Sequence, residues 1–298
     1  MRLNTDSGEM TEGLLNIDKP AGITSHDVVA RVRRVAGVRR VGHAGTLDPL
    51  ATGVLLVGVG PATRLIEYLV GQTKTYEAEV RLGQATNTYD AEGEVVAERP
   101  FSHITLAAIT QTLDPFRGRI EQKPPIYSAI KKDGQPLYKL ARQGIEVDVP
   151  TRQVTIYTLD LLGWDAPFLH LRVTCSAGTY IRSLAHDLGQ VLGCGGHLTA
   201  LRRTAIGSFT VETAVSLPDL TPTTLPTHLQ PPDTAVAHLP RLTLTAQDAQ
   251  QWQHGMRLTQ QPDQPIDSPL ARTYTENGRF IGISTAIDNQ WQPKKVFN

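Results

Sequence analysis

The residue types best suited to chemistry are concentrated in one short stretch, GHAGTLDPLATG at 42–53. Its three glycines and one proline indicate a constrained loop, and a single carboxylate, Asp48, stands between Leu47 and Pro49. Loops held by a rigid scaffold often carry catalytic groups. The alternative is that Asp48 only shapes the turn through its side chain and that His43 is an ordinary surface histidine.

Other chemistries lack the motifs they need. The loop contains no Walker-type phosphate cradle, no HExxH zinc pair and no GxSxG nucleophile elbow. No second carboxylate is close enough in sequence to form an evident acid–base pair, and Cys175 and Cys194 lack the neighbours of a zinc site or a disulfide framework. The sequence therefore predicts a single-carboxylate mechanism without a metal, in a reducing, cytoplasmic setting.

A second cluster, CSAGTYIRSL at 175–184, is predicted to join a strand to a helix. Arg182 falls in the first turn of that helix, where the helix dipole disfavours a cation. An anionic partner from elsewhere in the fold would explain it, and Asp48 is the candidate. Such a pair would keep the carboxylate ionised under a bound substrate. The alternative is a surface arginine with a local partner.

The elements that must position these residues are a mixture of strands and helices. Apolar runs and period-two alternation predict strands at 15–19, 54–59, 73–82 and 170–176. Helical spacing predicts helices at 25–36, with Ser25 as N-cap, at 64–69 and at 181–192. Because the regular βαβ rhythm is missing, we expect an α+β fold with a mixed, mostly antiparallel sheet.

Composition divides the chain into segments. Residues 1–11 are polar and patternless, which predicts a flexible terminus. The stretch 218–240 holds six prolines and no lysine or arginine, which predicts a linker. A large domain, 12–217, and a small β-rich module, 241–298, remain. No apolar run approaches the roughly 18 residues of a membrane span, so no membrane partner is expected.

Charge balances overall, with 29 basic and 29 acidic residues. Any preference for a polyanion must therefore come from local distribution. Five arginines and no acid lie between Val28 and Leu47, and seven basic residues with interleaved tyrosines lie between Arg117 and Arg142. Such faces suit a phosphate backbone and unpaired bases, although solvated surfaces are the alternative.

The motifs together resemble the TruB-type tRNA pseudouridine synthases, from about Gly13 to Phe297. LLNIDKPAGITSHDVV at 14–29 resembles the opening motif of that family, and GHAGTLDPLATGVL at 42–55 resembles its catalytic loop. Four later stretches follow in the family's order: 74–95, 124–144, 175–189 and 201–209. FIGIS and PKKVF, within 280–297, resemble the end of a small PUA-like RNA-binding module. The six motifs between residues 14 and 209, in the right order, are far more specific than any one of them.

The resemblance implies conversion of uridine to pseudouridine in the T loop of tRNA, at position 55, with base flipping and no cofactor. Asp48 is implied as the catalytic aspartate and Arg182 as its partner. Tyr76 is implied to stack on the flipped base, and Tyr180 and Leu201 to line the uracil pocket. His43 is implied to contact the flipped nucleotide.

The resemblance also implies a division of the chain and a set of partners. It predicts a pseudouridine synthase catalytic domain at 12–217, with helices and loops around a central cleft, and a PUA-like domain at 241–298. We expect a monomer whose partner is the T stem-loop of tRNA. Candidate contacts to the RNA backbone are Arg31, Arg34, Arg39, Arg40, Lys131, Lys132 and Arg202.

Two other classes remain possible at this point. A non-catalytic RNA-binding protein would use the same basic faces, but binding alone does not need a carboxylate facing a polyanion. A metal-dependent hydrolase would need a ligand cluster that the sequence lacks.

Overall fold

The computed structural model describes residues 12–128, 130–132, 134–143, 147, 149–259 and 268–297. The flexible terminus predicted at 1–11 lies outside these residues. The strands of the large sheet are β1 Gly13–Lys19, β2 Val41–His43, β3 Thr52–Val59, β4 Lys74–Leu82, β7 Gly118–Gln122, β10 Arg152–Asp165, β11 Phe168–Cys175, β12 Gly196–Ile206, β13 Phe209–Thr210 and β14 Val215–Ser216.

The remaining strands form two short hairpins and a second sheet. The hairpins are β5 Gln84–Thr86 with β6 Val95–Glu98, and β8 Lys131–Lys132 with β9 Gln135–Pro136. The second sheet contains β15 Arg241–Leu244, β16 Leu258–Thr259, β17 Leu270–Thr275, β18 Phe280–Ile287 and β19 Gln290–Val296. The helices are α1 Ser25–Ala36, α2 Ile66–Val70, α3 Leu106–Leu113, α4 Leu137–Arg142, α5 Ile181–Val191, α6 Leu225–His228 and α7 Ala246–Gln253.

The large sheet runs β14-β1-β3-β12-β4-β11-β10-β7, with β2 beside β3 and β13 beside β12. Its pairs are antiparallel apart from β1 with β14 and β3 with β12, as far as the described strands show. The second sheet, in the order β15-β17-β18-β19-β16, forms the C-terminal module. The expected α+β architecture, with a mostly antiparallel sheet and a β-rich C-terminal module, is confirmed.

Helix α1 follows from its amphipathic spacing. Val28, Val29, Val32 and Val35 are buried. The helix ends at Gly37, whose φ of 67° is a left-handed conformation that glycine adopts without strain. The prediction of Ser25 as N-cap was wrong by one residue. Thr24 is the cap and forms a capping box with Asp27. The hydroxyl of Ser25 instead points inward and binds the backbone of Leu47, in the loop that carries Asp48.

The proline-rich stretch 218–240 packs against the large sheet. Leu220 and Leu225 are buried beside β1, β3 and α1, and Ala235 and Val236 are buried with Leu14. The backbone of Gln230 exchanges two hydrogen bonds with Leu14. The stretch with linker-like composition is therefore packed against the large domain. The position of the domain boundary stays a prediction.

The C-terminal module shares a core with the large domain. Ile283 and Phe297 are buried in the same cluster as Leu14, Val54 and Leu65. Arg64 donates a 2.6 Å hydrogen bond to the carbonyl of Val296, and Lys295 forms a 2.6 Å ion pair with Glu67. These contacts attach the module to the region that follows β3.

None of the helices in the described ranges is long and apolar enough to cross a membrane.

Candidate active site

The loop that carries Asp48 lies between β2 and β3, and α1 fixes the residue before it. The buried hydroxyl of Ser25 accepts a 2.9 Å hydrogen bond from the Leu47 amide and donates a 3.1 Å bond to the Leu47 carbonyl. One side chain thus satisfies both backbone groups of Leu47. This contact explains why Ser25, inside the helix, does not cap it.

The residue after Asp48 is fixed from the end of β1. The Pro49 carbonyl accepts a 2.8 Å hydrogen bond from the Gly22 amide and a 3.3 Å bond from Lys19 Nζ. Lys19 is fully buried, and its amine also donates to the carbonyls of Pro20 and Ile23, at 2.8 Å each. Burial lowers the pKa of Lys19 to about 8, and the negative charge of Asp48 acts against this.

The start of the loop is held by Arg203 on β12. The guanidinium of Arg203 donates to the carbonyls of Val54 at 2.8 Å, Gly45 at 3.1 Å and Thr46 at 3.5 Å. Here β12 passes so close to β3 that a Cβ on Gly53, whose φ is 100°, would lie 2.2 Å from the Arg203 carbonyl oxygen. Only glycine fits at this position.

Asp48 and Arg182 meet, as the sequence suggested. Arg182 Nε lies 3.1 Å from Asp48 Oδ2, at an angle that does not satisfy a hydrogen bond, so the contact is electrostatic. The Asp48 side chain is 37% exposed and that of Arg182 only 6%. Burial raises the pKa of Asp48, while the charge of Arg182 opposes that shift. The carboxylate is therefore open on one side and faces a buried cation on the other.

A second carboxylate, Asp90, holds Arg182 from the opposite side, and the sequence did not reveal it. Asp90 Oδ2 accepts a 3.0 Å hydrogen bond from Nη1 of Arg182, and its side chain is 4% exposed. The carbonyls of Tyr127 and Thr88 accept further bonds from Arg182, at 2.8 Å and 3.3 Å. Arginine has five N–H donors, so a buried arginine needs more acceptors than one aspartate supplies. The number of N–H donors on Arg182 could therefore have indicated a second partner.

The predicted pocket residues occupy one side of the large sheet. Tyr76 on β4 and Leu201 on β12 are 7% and 8% exposed and belong to the same buried cluster as Leu47. Burial raises the pKa of Tyr76, and among the smaller influences the charge of Asp48 acts in the same direction. The structure thus gathers Tyr76 and Leu201 beside the Asp48 loop.

Tyr180 and His43 are not part of that buried cluster. Tyr180 directly precedes α5, and the guanidinium carbon of Arg152 lies 5.0 Å from the centre of its ring. His43 ends β2 and contacts His26 edge to face, with ring centres 5.5 Å apart. Burial lowers the pKa of His43, which favours the neutral ring.

The basic residues predicted to meet RNA lie on α1, the turn before β2, β8 and β12. Arg34, Arg39 and Arg40 are exposed and Arg31 is partly exposed, on α1 and the turn that leads into β2. Arg202 is already ion-paired with Asp18, at 2.7 Å. The backbones of Lys131 and Lys132 form β8, whereas their side chains lie outside what the structure describes.

The arrangement can support nucleophilic or base chemistry on a ligand placed over the loop. A carboxylate held by a cation on its buried side can attack or take a proton on its open side. Among the described residues, no group of three or more His, Cys, Asp or Glu side chains could hold a metal ion.

Family models match the chain in three consecutive parts. The TruB family pseudouridylate synthase N-terminal domain matches residues 33–181. The tRNA pseudouridylate synthase B C-terminal domain matches 182–237, and the C-terminal domain of pseudouridine synthase II TruB matches 240–297.

Three bacterial relatives, each named tRNA pseudouridine synthase B, match almost end to end. The Thermobifida fusca protein is 47% identical over 97% of this chain and 99% of its own. A Dehalococcoides mccartyi protein is 46% identical over 96% of both chains. A Pseudomonas aeruginosa protein is 45% identical over 93% of this chain and 92% of its own.

Solved structures share the fold. A chain of an H/ACA RNP bound to a substrate RNA containing 2'-deoxyuridine is 26% identical, with a TM-score of 0.73, and covers 96% of this chain and 85% of its own. A chain of a Cbf5-Nop10-Gar1 complex is 28% identical, with a TM-score of 0.74 and the same coverage. Sequence, domain order and fold agree, and the chain belongs to the TruB family of pseudouridine synthases, which are isomerases.

Proposed function

We propose that this protein converts uridine to pseudouridine in the T loop of tRNA, at position 55, with Asp48 as the catalytic carboxylate. The names of the relatives support tRNA as the substrate, and the motif resemblance supports the T loop and position 55. The observation that carries the proposed role of Asp48 is its contact with Arg182. The carboxylate of Asp48 faces a buried arginine and still keeps an open side.

The reaction explains why a single carboxylate suffices. The bond between N1 of uracil and C1' of ribose breaks, the base turns, and C1' bonds to C5. The proton on C5 is lost and N1 gains one, so atoms and electrons balance within the nucleotide. Attack of Asp48 on the base, attack on the sugar, and removal of a sugar proton all use the same placement of the carboxylate.

Base flipping explains the surroundings of Asp48. A base stacked within a folded loop must first leave its stack, at a cost of about a few kcal/mol. Stacking on Tyr76 and phosphate contacts from the exposed arginines of α1 and the following turn would offset that cost. Tyr180 and Leu201 then confine the uracil, and His43 contacts the flipped nucleotide.

One copy of the chain supplies all these residues, so we propose that the protein acts as a monomer on cytoplasmic tRNA. Tyr76, Arg182 and Leu201 lie on β4, α5 and β12 of the same chain, Asp48 lies on the loop before β3, and Tyr180 directly precedes α5. The partner it needs is the T stem-loop.

The test is a pseudouridine assay on an unmodified tRNA transcript, with the modified position mapped, for wild type and Asp48→Asn. We expect product at position 55 with wild type and none with Asp48→Asn. Binding of the transcript should be unchanged or tighter, because one negative charge next to RNA is removed.

Asp160→Asn is the matched control, since Asp160 is exposed on β10 and should keep wild-type turnover. Turnover by Asp48→Asn would refute the role of Asp48. Binding without product by the wild type would favour a non-catalytic RNA-binding protein, and product at another position would refute the T-loop assignment.

A further inference from the structure

The residues at the end of β7 are joined to the start of α5 by a set of hydrogen bonds. Gln122 is 1% exposed. Its Oε1 accepts a 2.7 Å bond from the Tyr180 amide, and its Nε2 donates a 3.0 Å bond to the Tyr180 carbonyl. The side chain of Gln122 therefore binds both backbone groups of one residue, as a neighbouring strand would.

Two neighbouring contacts strengthen this connection. The Ser183 hydroxyl donates a 2.7 Å bond to the Lys123 carbonyl. The Arg182 guanidinium donates a 2.8 Å bond to the Tyr127 carbonyl. Residues 122–127 thus contact Tyr180, Arg182 and Ser183, which form the first turn of α5 and the residue before it.

The first turn of α5 depends on these contacts because it has no side-chain cap of its own. Tyr180 is the N-cap residue and makes no capping hydrogen bond with its side chain. Its carbonyl accepts the first helical bond, from Leu184, at 3.1 Å. Helix ends without a capping partner fray readily. Gln122 stabilises this end from another strand, by fixing the orientation of the Tyr180 peptide groups.

The position of this turn determines the geometry of the site. Arg182 is two residues after Tyr180, and its Nε must lie within about an ion-pair distance of Asp48 Oδ2, where it is found at 3.1 Å. We propose that Gln122 is a positioning residue for the isomerisation: by holding Tyr180 it places Arg182 against Asp48 and orients the Tyr180 ring toward the uracil. Gln122 acts through Tyr180, and this role rests on the proposed function.

The chemistry of the side chain makes the proposal specific. At this length a carboxamide offers one donor and one acceptor whatever the pH, whereas a carboxyl group does so only when it is protonated. Methionine has a similar shape, but it leaves the Tyr180 amide without a partner and the Tyr180 carbonyl with only its helical bond from Leu184. An ionised glutamate keeps the acceptor but presents a second acceptor to the Tyr180 carbonyl, whereas a protonated glutamate donates to it. Burial would raise the pKa of a glutamate at this site.

The experiment measures single-turnover rate and tRNA affinity for wild type, Gln122→Met and Gln122→Glu. Misplaced catalytic groups cost rate rather than binding, so Gln122→Met should react at least about tenfold more slowly, with affinity within about twofold of wild type. Relative to wild type, the rate of Gln122→Glu should recover as the pH falls from about 8 to about 6, because the glutamate then regains its donor.

Asn16→Leu is the matched control for a general loss of stability. Asn16 is also a buried amide, 3% exposed, and it donates to the Thr210 carbonyl at 2.8 Å, in the part of the sheet that holds β1 and β13. We expect Asn16→Leu to lower the melting temperature while its rate below the transition stays within about twofold of wild type.

Three results would overturn the proposal. The first is a wild-type rate for Gln122→Met. The second is that Gln122→Met and Asn16→Leu lose the same rate for the same fall in melting temperature. The third is a rate for Gln122→Glu that keeps a constant ratio to the wild-type rate across pH. An inactive wild-type protein would instead overturn the proposed function, so the two failures are distinguishable.

Discussion

Arg182 and Arg203 are both almost fully buried, 5% and 1% exposed, yet their guanidinium groups meet different partners. Arg182 faces the carboxylates of Asp48 and Asp90, in addition to donating to two backbone carbonyls. Arg203 donates to the carbonyls of Gly45, Thr46 and Val54. A buried cation next to carboxyl groups favours their ionised form. A buried cation that donates only to carbonyls holds the backbone in place.

The difference determines how each arginine affects Asp48. Burial raises the pKa of Asp48; among the opposing charges that of Arg182 is the strongest, and that of Arg203 is weaker than that of Lys19. Arg182 therefore acts on the reactive group directly. Arg203 acts mainly through the position of the loop.

Among the arginine variants, the largest effect is expected for Arg182→Lys. The substitution keeps the charge but loses the planar fork that reaches Asp90, Tyr127 and Asp48 together. We expect the single-turnover rate to fall by about 100-fold or more, while tRNA affinity stays within about threefold of wild type. Rate and affinity are measured on the same transcript.

Arg172→Lys is the matched control for that prediction. Arg172 pairs with Glu77 at 2.9 Å and is 50% exposed, so the change should leave the rate near wild type. A near-normal rate for Arg182→Lys would mean that its charge alone, without the fork, is sufficient.

The same comparison shows which part of the site was predictable from sequence. An anionic partner could be predicted for Arg182 because it lies in the first turn of a predicted helix, where a cation is disfavoured. Arg203 and Lys19 left no such signal, since their acceptors are backbone carbonyls that every residue carries. Asp90 was missed because its partner, Arg182, is 92 residues away in the chain.

The fold was predictable where one face of an element is buried. The alternation in β4 and the helical spacing in α1 correspond to their buried residues. The stretch 218–240 was predicted to be a linker because many prolines and no lysine or arginine are typical of tethers. Its apolar residues, such as Leu220 and Val236, are too few to show a period but are buried against the large sheet.

Arg203→Lys should show the opposite balance to Arg182→Lys. One ammonium cannot reach all three carbonyls, and each buried carbonyl left without a partner costs about 1–3 kcal/mol. We expect the melting temperature to fall by roughly 5–10 °C, while the rate at 25 °C falls less than about tenfold. Calorimetry and single-turnover assays on both variants make the comparison. A rate loss as large as that of Arg182→Lys, without loss of stability, would contradict the division of roles.

The smallest effect is expected at Arg202, which tests whether pairing with a carboxylate is sufficient to give an arginine a role in catalysis. Arg202 pairs with Asp18 at 2.7 Å, but its side chain is 40% exposed, so water screens the pair. Asp18 also competes with any phosphate for this guanidinium. Arg202→Met should therefore leave the rate unchanged and weaken tRNA binding less than Arg40→Met, at an exposed arginine on the turn before β2.

Across a salt series, Arg40→Met should reduce the slope of log affinity against log salt by about one, and Arg202→Met by clearly less. The reverse order would show that Arg202 leaves Asp18 to contact the RNA backbone, and a loss of rate would show that a screened pair can serve the reaction as a buried one does.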